Sequence, residues 1–161
     1  MTNKVLVEMK SGETFTIELY PEHAPKTVEN FKNLVDKGFY NGLTFHRVID
    51  DFMAQGGCPK GNGTGGSGTN IVGEFLMNGI QNDLKHTRGV VSMARAMDPN
   101  SASSQFFICY KDVPFLDGQY AAFGKVIEGM NTVDNFLMTK RLGPEGGTPV
   151  TPIVIQRMSF I

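Results

Sequence analysis

The sequence predicts a mainly β fold, an antiparallel sheet or barrel with two helical caps. Apolar residues alternate with period two at the start of the chain. Only two segments carry helical spacing. Strands and helices do not alternate, which argues against parallel βαβ units. Nineteen glycines and eight prolines in 161 residues add many tight corners.

Val5, Val7 and Met9 share one parity, and Phe15, Ile17 and Leu19 another, with Lys10-Ser11-Gly12 between them. This spacing predicts a hairpin with one buried face. Val28, Phe31, Leu34 and Val35 then follow helical spacing. Pro25 suits the first turn and Lys37-Gly38 the end, so a helix is predicted near 25–37. Short strands are predicted at Leu43–Ile49, Phe52–Gln55, Val90–Ala94, Phe106–Tyr110 and Ala121–Val126. A second helix is predicted near 131–140, capped by Asn131, with Val133, Phe136 and Leu137 on one face. Gly143-Pro144 stops it, and Ile153–Phe160 reads as the closing strand.

The length fits one domain, and 40% hydrophobic against 19% charged residues is a globular balance. A net charge of −1 makes nucleic acid a poor default partner. No apolar run approaches the ~20 residues of a membrane span, and the first ten residues lack a secretory apolar core. Cys58 and Cys109 form neither a CxxC pair nor a dense framework. They are expected to be free thiols that the structure does not need. A soluble, cytoplasmic protein is expected.

Several motifs fail on their own chemistry. Residues 56–73 hold eight glycines, and Gly61, Gly63 and Gly66 match G-x-G-x-x-G. No strand and helix flank them as a pyrophosphate requires, so a long loop close to other backbone is expected. Gly118 and Gly124-Lys125 have one residue too many for a phosphate loop, and Val126 stands where a magnesium-binding hydroxyl belongs. His23, His46 and His86 lack the spacing of a zinc helix and read as surface or structural histidines. Asp50-Asp51 reads as a solvated turn. There is no G-x-S-x-G elbow.

What remains is an excess of apolar residues in short strands. Phe52-Met53 and Phe106-Phe107 are adjacent, and strand neighbours point to opposite faces. One member of each pair can enter the core. The other is either covered by a helix or contributes to an exposed apolar patch of the kind that binds partners. Arg47 lies nearby in FHRVI, facing away from His46 by parity. An arginine beside an aromatic pocket suits a carbonyl, a carboxylate or a ring face.

The blocks FHRVIDDFMAQGG (45–57), GNGTGG (61–66), SMARA (92–96), SSQFFI (103–108), FLDG (115–118) and FGKVIEGM (123–130) resemble the cyclophilins in composition, order and spacing. The opening hairpin, PKTVENF (25–31) and the closing strand match as well, so the resemblance spans essentially residues 1–161 as one domain. It resembles a short, prokaryote-like form. The resemblance implies a closed eight-stranded antiparallel β-barrel capped by two α-helices, its interior filled by side chains and its active site on the outer face. It implies a peptidyl-prolyl cis-trans isomerase that acts on X–Pro bonds and assists protein folding. No covalent intermediate, metal or cofactor is implied. Arg47, Phe52 and Gln55 are the implied catalytic residues. Met53, Phe107 and Leu116 complete a proline pocket with Phe52, and Phe115 lies at its edge. Ala94, Arg95 and Ala96 would run beside the residue before proline. Gln105 would support Arg47 or the peptide, and Gly63 would let the glycine-rich loop approach. His46 and Tyr120 match peripheral positions, with a structural role equally open for His46.

The implied partners are proline-containing peptides and unfolded or folding proteins, not nucleic acid or membrane, and a monomer is implied. Three departures from the family pattern stand out. Arg95 replaces a common asparagine, Tyr120 a histidine, and Phe115 the tryptophan of cyclosporin-sensitive members, which implies reduced cyclosporin affinity. The alternative is a proline-peptide binding module or chaperone with little isomerase activity. Arg47 favours the enzyme, because a pure binder has less need of a transition-state donor.

Overall fold

The computed structural model describes residues Met1–Ile161. Its strands are β1 (Lys4–Met9), β2 (Thr14–Leu19), β3 (Phe45–Ile49), β4 (Met53–Gly56), β5 (Val90–Met93), β6 (Phe106–Cys109), β7 (Ala122–Glu128), β8 (Arg141–Leu142), β9 (Thr148–Pro149) and β10 (Ile155–Phe160). Two α-helices, α1 (Pro25–Asp36) and α2 (Met130–Asn135), cap the sheet. Eight strands form one antiparallel sheet in the order β10-β1-β2-β7-β5-β6-β4-β3, and β8 and β9 form a separate hairpin. The predicted opening hairpin is present, with Val5 opposite Ile17 and Val7 opposite Phe15, all four buried.

The expected closed barrel is not formed. The sheet is open and strongly curled, and β3 and β10 are its two edges. The segments at those edges meet at one isolated bridge, Thr44–Val154, where Phe45 N donates to Ile153 O, Ile155 N to Leu43 O and Gly42 N to Ile155 O at 2.7–3.0 Å, and no ladder continues from it. The reason lies on β3. The Val48 N–H donates to Gly147 O at 2.8 Å, and the Val48 carbonyl accepts from Arg141 at 2.9 Å. The outer edge of β3 is thus occupied by the β8–β9 hairpin, and β10 cannot form a ladder along it.

The concave face is filled, as expected. Phe31 of α1 packs against Tyr40, Phe106 and Phe123 with centroids 5.1–5.7 Å apart. Phe136, just after α2, lies 4.9 Å from Phe45. These belong to one continuous core of aromatic and aliphatic side chains, whose removal from water drives folding. A second, smaller cluster of Met53, Phe107, Cys109, Val113 and Leu116 lies apart from it. Phe106 and Phe107 therefore divide between the two clusters, as strand neighbours should. Phe52 and Met53 do not divide. Phe52 precedes β4 and packs against the same small cluster as Met53, because alternation holds only inside a strand.

The first helix has Pro25 in its first turn and Lys37-Gly38 at its end, as predicted, whereas the second does not start at its predicted cap. Ala24 at the start of α1 offers no side-chain cap. Buried Glu74 substitutes from far along the chain, accepting from the backbone N–H of Thr27 at 2.6 Å and of Lys26 at 3.2 Å. A carboxylate at a helix N-terminus satisfies both the orphan donors and the helix dipole. The second helix begins after Gly129, in the left-handed region at φ +77°, not after Asn131. It ends at Asn135 and tightens into a 3-10 turn over Phe136–Met138.

Candidate active site

The small outer cluster is the floor of a pocket. Nine residues line it: Arg47, Phe52, Met53, Gln55, Ala94, Arg95, Phe107, Leu116 and Tyr120. Its volume is about 130 Å³, which fits one small side chain and is below the usual range for a drug-sized ligand. Antiparallel pairing brings the residues together. β4 lies between β3 and β6, setting Gln55 opposite both Arg47 and Phe107, and Met53 opposite Cys109. The Tyr120 ring meets Phe107 edge-on at 5.8 Å.

A hydrogen-bond chain runs from the arginine across the strands. Arg47 Nη1 donates to Gln55 Oε1 at 3.3 Å, and Gln55 Nε2 donates to Gln105 Oε1 at 2.9 Å. Gln105 Nε2 then donates to the carbonyls of Gly63 and Gly65 at 2.9 and 2.8 Å. Each amide is oriented by its neighbour, and the glycine-rich loop is tied to β6. Arg47 Nε is held separately, by Glu145 at 2.7 Å. The pocket is apolar on its floor, and Arg47 brings five donors on a permanently charged plane to its border.

The remaining predicted residues lie around this pocket. Gly63, Ala96 and Gln105 line an adjoining pocket of about 240 Å³, which Gln55, Ala94 and Arg95 share. Gly63 has φ +89°, and a Cβ there would lie 3.4 Å from His46 Nε2. His46 does not oppose Arg47 as parity predicts. Arg47 pairs with Gln55 and Phe45 with Gly56, so His46 is the extra residue of a β-bulge. It borders a polar groove with Arg47, Gly63 and Glu145 rather than the apolar pocket. Its buried Nδ1 has no partner, and burial, reinforced by Arg47, holds its pKa below the ordinary value.

Phe115 is 64% exposed and lies outside the lining. Its ring meets Phe52 at 5.9 Å. Arg95 is not a free charge at the pocket. Its guanidinium stacks on Phe75 and Tyr120 at 4.9 and 4.7 Å and donates to the carbonyl of Gln119.

Sequence reasoning missed two features. Glu145 carries no local signal, because its partner is 98 residues away. Buried His86 lies beneath the pocket, hydrogen-bonded to Asp117 and Ser92 at 2.9 Å each. It is the structural histidine anticipated, but its partners were not.

Comparisons with known proteins agree on one family. The family model described as cyclophilin type peptidyl-prolyl cis-trans isomerase/CLD matches residues 4–160. A Neurospora crassa peptidyl-prolyl cis-trans isomerase-like 1 is 51% identical over 134 residues, covering 83% of this chain and 80% of that one. A Helicobacter pylori peptidyl-prolyl cis-trans isomerase is 49% identical over 120 residues, covering 73% and 71%. A crystal structure of a Cryptosporidium parvum cyclophilin type peptidyl-prolyl cis-trans isomerase superposes with TM-score 0.86 at 33% identity, covering 98% and 96% of the two chains. The same protein in the presence of the dipeptide Ala-Pro gives TM-score 0.85 at 34% identity, with 96% of each chain covered. Similar proteins from fungi and a protozoan stand beside the bacterial one, so the expected prokaryote-like character is not supported.

Proposed function

The chain belongs to the cyclophilin-type peptidyl-prolyl cis-trans isomerases and acts on proline-containing peptide bonds, and from that premise we propose how its residues divide the work. The uncatalysed X–Pro bond turns over in tens to hundreds of seconds, because rotation breaks an amide resonance worth ~18–20 kcal/mol. No covalent bond needs to be made. In the twisted amide the prolyl nitrogen becomes pyramidal and regains a lone pair. A donor aimed at that lone pair binds the transition state better than either planar ground state.

Arg47 is that donor. Nε is taken by Glu145 and Nη1 meets Gln55, which leaves Nη2 for the substrate. The proline ring sits on Phe107, Met53 and Leu116, walled by Phe52. Gln55 bonds the peptide backbone with its remaining N–H and holds Arg47 with its oxygen. Ala94 to Ala96 border the residue before proline, and Gln105 anchors the loop carrying Gly63. Arg95 and Tyr120 act together as a stacked wall. The observation that carries this reading is the convergence of Arg47, Gln55 and an apolar floor on one pocket.

The clients are unfolded or folding proteins as well as peptides. The enzyme works as a single-domain monomer in the cytoplasm, without metal, cofactor or nucleic acid. Two free, buried thiols suit a reducing compartment, and a net charge of −1 offers no field for nucleic acid. No helix is long and apolar enough to cross a membrane. The test is a protease-coupled assay on an Ala-Pro peptide with chelated protein. Acceleration over the uncatalysed rate is expected, and folded protein that leaves that rate unchanged would favour the binding module.

A further inference from the structure

The β8–β9 hairpin does more than occupy the edge of β3. It is clamped there by Arg141, which donates to Val48 O and to Asp50 at 2.9 and 3.0 Å, and by the Val48–Gly147 hydrogen bond at 2.8 Å. A Cβ on Gly147 would meet the tip of the Ile49 side chain and lie 3.1 Å from Val48 O, so a larger residue there would have to displace Ile49 for the hairpin to lie this close to the strand. The turn between β8 and β9 thereby sets Glu145 beside Arg47, with its Oε2 2.7 Å from Nε. The two side chains are 58% and 35% exposed.

We infer that Glu145 is a positioning residue for isomerisation, holding Nε so that the guanidinium plane presents its Nη groups to Gln55 and to the peptide. The inference rests on the reading of Arg47 as the transition-state donor. A carboxylate on Nε leaves the four Nη hydrogens untouched, so it orients the donor without blocking it. A charged arginine on a flexible stem otherwise samples many rotamers, and each one off the reaction geometry lowers the rate. Fold stability has little stake in the pair, because exposed ion pairs contribute little.

The experiment compares the parent with Glu145→Ala, Glu145→Gln, Arg47→Ala and the Arg47→Ala, Glu145→Ala double variant on one X–Pro peptide, with melting temperatures measured alongside. Glu145→Ala is expected to lower kcat by roughly three- to tenfold, the size of one ordinary net hydrogen bond, since exposure weakens the charge assistance. KM and melting temperature should stay near the parent values. Glu145→Gln should recover most of kcat, because its amide oxygen accepts from the same Nε. The double variant should be no slower than Arg47→Ala. Parental kcat in Glu145→Ala, no rescue by glutamine, or a further loss in the double variant would overturn the role of Glu145 while leaving an impaired Arg47→Ala intact. A near-parent Arg47→Ala would instead remove the donor itself, and Glu145 with it.

Discussion

The Phe107 ring lies offset and nearly parallel to the His86 imidazole, with centroids 6.1 Å apart and planes inclined by 15°. The floor of the proposed proline pocket therefore rests on a titratable group. That group is held on both sides, by Asp117 at Nδ1 and Ser92 at Nε2. Burial lowers the His86 pKa and outweighs the opposing influence of the Asp117 hydrogen bond and charge. The imidazole is neutral in the folded protein at neutral pH.

This sets the sign of an acid sensitivity. The folded pKa values of His86 and His46 are both depressed, so below the ordinary histidine value of ~6.5 the unfolded chain binds more protons than the native one. Stability is then fully present above that pH and is lost as pH falls toward the folded pKa values, at up to ~1.4 kcal/mol per pH unit for each group. Denaturant melts at pH 7.5 and 5.5 should show the parent weaker at 5.5. His86→Gln should flatten part of that slope, whatever its absolute stability. An unchanged slope would mean that His86 does not titrate on unfolding in this range.

Arg47→Ala should lower kcat/KM by about 10²–10³-fold, the usual effect of removing one preorganised donor, or ~2.7–4 kcal/mol. Arg47→Lys should also be impaired, because an ammonium cannot engage Glu145, Gln55 and the peptide from one plane. Circular dichroism should report an intact fold in both, since Arg47 is outside the two apolar clusters. Near-parent activity in Arg47→Ala would remove it from the mechanism.

Much of this arrangement is legible in the chain because it is local. Alternation placed Val5, Val7, Phe15 and Ile17 inside, and helical spacing placed Phe31 and Val35 against the sheet. The open edge was not legible, because it depends on which groups satisfy Val48, and those come from Arg141 and Gly147. The bulge at His46 defeated a parity argument that holds only for regular strands. Glu74 capping α1 and Glu145 holding Arg47 are charged residues without local pattern. Tertiary placement alone gives them their partners. The family resemblance supplied the pocket residues, but it carried no sign of the Arg95 stack on Phe75 and Tyr120.

Both cysteines are free and buried, so melting temperature should be the same with and without reductant. The expectation that neither matters to structure meets its sharper test at Cys109. It is fully buried in the small cluster under the pocket, and burial, followed by Asp117 and Asp112, pushes its thiol up to about 12. Cys109→Ser places a hydroxyl among apolar groups and should cost ~1–3 kcal/mol. Cys58 differs. Burial pushes its pKa up, but backbone N–H groups led by Gly65 outweigh that and hold it below the ordinary value. Its sulfur accepts from Gly65 N at 3.2 Å, a contact that serine can keep. Denaturant melts of the two single variants should separate them. Equal stability would show that the Cys109 site accommodates a hydroxyl.

Phe115 is where the sequence implies reduced cyclosporin affinity, with the drug expected at the proposed proline pocket. Phe115 is on the 3-10 turn Pro114–Leu116, outside the pocket lining, with its ring against Phe52. A tryptophan here would add ring area and an indole N–H, the only indole in a chain without tryptophan. Phenylalanine leaves any drug acceptor at this point without a donor. An unpaired buried acceptor costs ~1–3 kcal/mol, and ~1.4 kcal/mol is tenfold in affinity. Phe115→Trp should therefore bind cyclosporin more tightly by about one to two orders of magnitude, read by calorimetry on the parent and the variant. Peptide turnover should change far less, because in the proposed binding mode the prolyl ring is held by Phe107, Met53 and Leu116, and Phe115 touches that pocket only through Phe52. A tryptophan variant that binds no more tightly would show that the missing donor is not what limits affinity. A variant whose peptide turnover rises as much as its drug affinity would place Phe115 in the substrate site itself.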